Sequence, residues 1–240
     1  MTPPRRALIT ITSAKASLFN GKETTGLFIS EALHPFNVLK AAGFEVDLAS
    51  ETGNYTPDWL SQQPDFLNGA DLATWQDLNS EFRQKLDNMP KASELDASKY
   101  GILFASAGHA ALIDYPHATS LQKIGEEIWS NGGILASVCH GPALFSNLID
   151  RATGEPVIKG KKITGFTTEG EYTMKIMDEL RSWNAELVEE LAQRLGATYE
   201  RPAGIWDDFH LVDGRLVTGV NPASATSTAQ AVVEAFKRLQ

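Results

Sequence analysis

Cysteine occurs once in the 240 residues, at position 139. No disulfide can form within the chain, and the expected compartment is the reducing cytoplasm. Basic runs are equally scarce. Lys and Arg number 21 against 30 Asp and Glu, a formal charge of -9, and no stretch of Lys or Arg exceeds two residues. That balance argues against nucleic acid or an anionic membrane as partner. Nothing approaches the ~18 consecutive apolar residues of a membrane span. The N-terminal "MTPPRRALITITSAKASLF" is interrupted at Thr10, Thr12, Ser13 and Lys15, too early for a secretory signal. His34, His109, His117, His140 and His210 show no H-E-x-x-H pattern, and one cysteine makes no C-x-x-C, so no metal site is expected. The glycines of "IKGKKITG" match neither G-x-G-x-x-G nor the phosphate-loop spacing, which removes the usual signs of a nucleotide cofactor. Internal repeats and low-complexity tracts are also missing.

What is present is ordinary globular material, 42% hydrophobic and 21% charged, read as a single domain over residues 1–240. "ALITIT" (Ala7 to Thr12) is short, β-branched and bounded by polar residues, the pattern of a strand. "FEVDLAS", "YGILFAS" and "GILASV" repeat it. Between them lie helical stretches such as "SEALHPFNVLKAAG", with Ser30 as cap, Gly43 as stop and Pro35 distorting the backbone near Glu31, and "SLQKIGEEIWSNGG". Strands alternating with helices predict an α/β fold with a parallel sheet covered on both faces. "KKITGF" adds a strand, "FHLVDGRLVTG" a hairpin with an Asp-Gly turn, and "SATSTAQAVVEAFKRL" a closing helix. Residues 53–98 break the rhythm. They are polar and aromatic with a helical middle, too poor in apolar residues for a core of their own, and are read as an inserted cap.

The lone cysteine stands in "GGILASVCHGPALF", between a strand and an expected helix. In parallel α/β sheets ligands bind beyond the carboxyl ends of strands, and a sharp strand-to-helix turn there, a nucleophile elbow, presents one side chain outward. A helix N-terminus favours thiolate by about 0.3–1 kcal/mol. Lowering an ordinary thiol pKa by about two units takes roughly 2.7 kcal/mol. A second charge is therefore wanted, and the adjacent His140, held by a carboxylate, is the candidate. The bland alternative is a buried, inert cysteine.

The run "GGILASVCHGPALF", with "SEALHPF" and "ASAGHAALIDYP" before it and "KKITGFTTEGE" and "GRLVTGVNPASA" after it, resembles the ThiJ/PfpI superfamily. The insert and "PDFLNG" are similar to the fungal heat-shock-protein branch, the glutathione-independent glyoxalases (glyoxalase III, D-lactate dehydratase). The resemblance spans essentially the whole chain. It implies a flavodoxin-like sheet between helices and a cofactor-independent carbon–oxygen lyase that converts methylglyoxal and water to D-lactate. Position by position, it implies Cys139 as nucleophile, His140 beside it, Glu171 as the carboxylate that orients the histidine, and Glu31 as the acid that bonds the thiol and moves a proton. Gly108 and His109 match the loop whose backbone N–H groups help form an oxyanion site; Ala110 stands where many members have a second glycine.

The expected chemistry is a Cys139 hemithioacetal, proton transfer by Glu31 or His140 through an enediolate, and hydrolysis of the resulting thioester. The expected partner is a small 2-oxoaldehyde. Two other classes use the same residues. One is a stress-induced holding chaperone with misfolded-protein clients, or a cysteine redox sensor; the other is a cysteine hydrolase or deglycase acting from the same elbow. Family members often pair as homodimers. Trp206, Asp207 and Asp208 in "GIWDDFH" are read first as core and turn residues, with the pocket wall as the alternative.

Overall fold

The computed structural model describes residues 2–240. Six strands form the main sheet: β1 (Arg6–Ile11), β2 (Glu45–Ser50), β3 (Ile102–Ala105), β4 (Ile134–Val138), β5 (His210–Asp213) and β6 (Leu216–Gly219). Their spatial order is β2-β1-β3-β4-β6-β5. Every neighbouring pair is parallel except the hairpin β5–β6, whose Asp-Gly turn the sequence announces. Numbered by themselves, the five parallel strands run 2-1-3-4-5, the flavodoxin-like order. The residues of β3, β4 and β6 are all buried, and only Arg6 at the start of β1 is not, which is why these strands read as nearly unbroken apolar runs.

Helices α1 (Ile29–Ala41), α2 (Thr119–Ser130), α3 (Thr168–Met174) and α4 (Ala225–Lys237) carry the argument that follows. The helices α1 and α4 pack on each other, while α2 lies against β3 and β4. The N-terminus of α2 is capped from a distance: the Glu51 carboxylate accepts from the Ser120 and Leu121 N–H groups at 3.0 and 3.1 Å. Three local expectations need correction. Helix α1 begins at Ile29 with Phe28 before it and no side-chain cap, so Ser30 sits inside the first turn, and the helix continues through Pro35. The strand expected in "KKITGF" is only Lys162–Ile163, and it pairs with Thr198–Tyr199 in a separate two-stranded sheet. After Cys139 the chain forms a 3-10 helix, Gly141–Asn147, with Pro142 in its first turn, where an α-helix was expected.

The stretch 53–98 contains the short helices Gly69–Gln76 and Glu81–Asp87. Its Phe82, Leu86 and Met89 are buried in the same apolar core as β1 and β2. Asp47 on β2 accepts from Arg6, Lys85 and Tyr100, and His34 on α1 pairs with Asp71 at 2.7 Å. Among the described residues no helix is long and apolar enough to cross a membrane.

The chain leaves β1 toward β2 on one side of the sheet and returns to β3 on the other. The carboxyl ends of β1, β3 and β4 thus border a topological switch point, where open α/β sheets bind ligands.

Candidate active site

Cys139 follows β4 directly, with its N–H donating to the Gly219 carbonyl at 3.0 Å and φ at 59°. A non-glycine residue in the left-handed region is strained by roughly 1–2 kcal/mol. That conformation ends the strand and turns the chain sharply at Cys139. The Sγ atom lies 3.2 Å from Nδ1 of His140. The other ring nitrogen of His140, Nε2, is 2.7 Å from Oε1 of Glu171. A carboxylate can only accept, so Nε2 carries the hydrogen, and in a neutral ring Nδ1 turns its lone pair to the thiol.

Glu171 comes from the first turn of α3, which Thr167 caps by accepting from the Gly170 N–H at 2.9 Å. Its second oxygen, Oε2, is 3.0 Å from Nε2 of His109. Burial pushes Glu171 up, yet the two imidazoles outweigh it and leave the carboxyl at about 2. The two rings behave in opposite ways. Burial lowers both, but attraction to Glu171 raises His109 overall, whereas repulsion from His109 adds to burial and keeps His140 below its ordinary value.

Glu31 lies in the first turn of α1 with no exposed surface. One oxygen accepts from the Ala107 N–H at 3.1 Å, and the other has no hydrogen-bond partner. Burial pushes Glu31 up to about 8, against the opposing pull of the Cys139 thiol and the Ala107 N–H. It is therefore a neutral acid at pH 7. The thiol is raised as well, first by burial and then by Glu31 and Glu171, with only the His140 N–H working the other way. This corrects the expectation of a thiolate favoured by a helix dipole. Cys139 is 3% exposed, lies near two carboxyl groups and is followed only by a 3-10 segment, and burial is the main influence against its thiolate.

Gly108, on the loop after β3, has φ at 140°, and a Cβ there would meet the Gly26 carbonyl oxygen at 2.0 Å. Neither the Gly108 nor the His140 N–H is paired with a backbone carbonyl among the described residues. Four distant segments thus bring Glu31, Gly108 with His109, Cys139 with His140, and Glu171 to one place.

A row of aromatic rings, unread in the sequence except for Trp206, leads outward from the two histidines. The Phe166 ring lies 5.1 Å from His140 and 5.7 Å from His109, and Trp206 is 5.9 Å from Phe166 and 6.0 Å from Phe66. Phe66 belongs to the inserted stretch and meets Phe28 edge-on at 5.2 Å. Asp207 and Asp208 turn away, accepting from the Gly204 N–H and the Ser227 hydroxyl.

The ligand atoms of His109, His140 and Glu171 lie within 4.8 Å of one another, close enough to share a cation. Their separations of 2.7 and 3.0 Å are those of N–H···O hydrogen bonds, which aim the atoms at each other. We read a hydrogen-bonded triplet.

Residues 24–235 match the model of the DJ-1/PfpI family. The chain belongs to the DJ-1/PfpI family. Within it, the chain is 49% identical over 232 residues to glyoxalase 3 of Candida albicans, covering 97% of this chain and 98% of the relative. It is 47% identical over 234 residues to the glutathione-independent glyoxalase HSP31 of Saccharomyces cerevisiae, covering 98% and 99%. The crystal structure of glyoxalase III from Candida albicans superposes with a TM-score of 0.94 at 49% identity, over 96% of this chain and 97% of that one. A 24-kDa rapid encystment protein of Francisella tularensis, 24% identical over 96% of this chain and 98% of its own, shares the DJ-1/PfpI fold with a TM-score of 0.83.

Proposed function

We propose that this chain is a glutathione-independent glyoxalase that converts a small 2-oxoaldehyde and water to a 2-hydroxy acid, methylglyoxal giving D-lactate. The observation that carries the reading is the His140 Nδ1 lone pair 3.2 Å from the Cys139 sulfur, with Glu171 behind the ring and the neutral Glu31 beside the thiol. The names of the relatives at 47% and 49% identity support it.

The reaction balances on these groups. Nδ1 of His140 takes the thiol proton while sulfur adds to the aldehyde carbon, and the new oxyanion takes the proton of Glu31. Glu31, now a carboxylate, removes the hydrogen from that carbon. The electron pair forms the C=C bond of an enediol as the His140 imidazolium protonates the ketone oxygen. Glu31 then returns its proton to the neighbouring carbon, and the first oxygen gives its own to His140, leaving a 2-hydroxy thioester. Water attacks the thioester, loses a proton to Glu31, and the departing sulfur recovers one from His140. One carbon is oxidised and its neighbour reduced within the same substrate, so no external electron acceptor enters. A single carboxyl moving the hydrogen on one face accounts for a single enantiomer. The N–H groups of Gly108 and His140 are suited to hold the oxyanion, an effect worth a few kcal/mol.

The buried cysteine suits this enzyme better than a redox sensor, which relies on an exposed thiolate. The test is methylglyoxal consumption with chiral detection of lactate, without glutathione or added metal. The parent produces D-lactate and Cys139→Ala none; turnover by the Ala variant at the parent's rate would overturn the thiol mechanism.

A further inference from the structure

Glu171 serves two histidines, and the thiol chemistry accounts for only one. His109 comes from the loop after β3, 62 residues from Glu171 in sequence, and takes the carboxylate oxygen that His140 leaves free. The ring centroids of His109 and His140 are 4.4 Å apart. Two imidazolium ions that close, out of water, repel strongly, and a single carboxylate offsets only one of them. At most one ring carries a charge.

The surroundings decide which. His140 is 1% exposed, lies against Phe166, and has its Nδ1 directed at the Cys139 sulfur. His109 is the more exposed ring at 7%, and its Nδ1 has no hydrogen-bond partner among the described residues, so a proton there displaces no existing contact. The other groups facing the pair do not oppose that choice. Asp58 from the inserted stretch favours a proton on either ring, Glu31 from α1 is neutral near pH 7, and His109 itself opposes a second charge on His140.

We propose that His109 is a positioning residue: as the cation on the second oxygen of Glu171, it keeps His140 neutral and able to take the thiol proton. The inference rests on the glyoxalase reading only for its kinetic consequence. Glu171 is then more than an anchor for one ring. It is shared so that the charge settles on the histidine that does not touch sulfur.

Two measurements test this. In the full chain labelled with 15N-histidine, His109→Gln and His140→Gln serve to assign the ring signals, and the parent is read near neutral pH. Nitrogen shifts of an imidazolium for His109 and of a neutral ring protonated at Nε2 for His140 are expected. The reverse assignment, or two neutral rings, overturns the proposal whatever the substrate proves to be. His109→Gln keeps a donor to Glu171 but no charge. In that variant His140 should gain a proton at higher pH, and the acid limb of kcat/KM for methylglyoxal should move up by about one pH unit, with the rate recovering above it. A purely structural role would instead lower the profile at every pH and leave the limb in place. If no 2-oxoaldehyde is turned over by the parent, the glyoxalase reading fails while the nitrogen shifts still decide the charge.

Discussion

The Phe166 N–H donates to the Cys139 carbonyl at 2.9 Å, so the segment that delivers Glu171 is pinned to the nucleophile it serves. Gly165 makes the approach possible, because a Cβ there would meet the Cys139 oxygen and the Val188 side chain, both at 2.7 Å. Gly165→Ala should push this segment outward and stretch the 2.7 Å contact between His140 and Glu171. We expect a loss of stability of about 1–3 kcal/mol, the ordinary cost of overpacking. The fall in kcat should exceed tenfold, since misplacing a reacting group by about 1 Å can cost about a hundredfold. Denaturant melts and steady-state kinetics on the same preparation check both; unchanged kcat would sever the link between this contact and catalysis.

Position 139 should invert the usual order of alanine and glycine. At φ 59° a Cβ is strained, and glycine is not. Cys139→Gly and Cys139→Ala are both expected to be inactive, with the glycine variant more stable by about 1 kcal/mol. Urea denaturation of the pair measures the difference. An alanine variant as stable as the glycine variant would show that the elbow relaxes when sulfur is removed.

Glu31→Gln keeps the acceptor for the Ala107 N–H but cannot shuttle a proton. We expect kcat to fall by about 10²–10⁴-fold, with hemithioacetal accumulating on Cys139, visible by mass spectrometry of the intact protein. In the parent, Glu31 must start protonated, so kcat/KM should decline as pH rises through about 8, where the group ionises beside the thiol. A variant at full rate with the same basic limb would remove Glu31 from the mechanism.

Acid stability should depend on Glu171. Its carboxyl lies at about 2 in the fold against an ordinary 4.5, so its contribution is complete above pH 4.5 and is lost as pH falls toward 2. That shift corresponds to a contribution on the order of 3 kcal/mol. Stability curves of the parent and Glu171→Gln should therefore converge on acidification. Parallel curves would mean that the histidine contacts do not hold the carboxylate ionised.

How far the chain announces this site depends on what each residue's neighbours reveal. The strands β1, β3 and β4 are legible because burial on both faces demands unbroken apolar runs, and Cys139 with His140 is legible because the two are adjacent between a strand and a turn. Glu31 and Glu171 have no local signature beyond an acid in a first helical turn, and only the family resemblance singles them out. The bond from His109 to Glu171 crosses 62 residues, and the row joining Phe66, Phe166 and Trp206 crosses more. Neither has a sequence period to betray it. The thiol's raised pKa also escapes sequence reasoning, because adjacency to a histidine is visible there and the depth of burial is not.

That depth selects by size. Cys139 is 3% exposed, and the rings of Phe166, Trp206 and the insert's Phe66 follow one another outward from the histidine beside it, so a small compound reaches the sulfur more readily than a bulky one. A carbonyl adduct still tethered to the amino group of another protein would have to carry that protein's backbone to the same depth. The geometry thus favours a free aldehyde over one attached to a macromolecule.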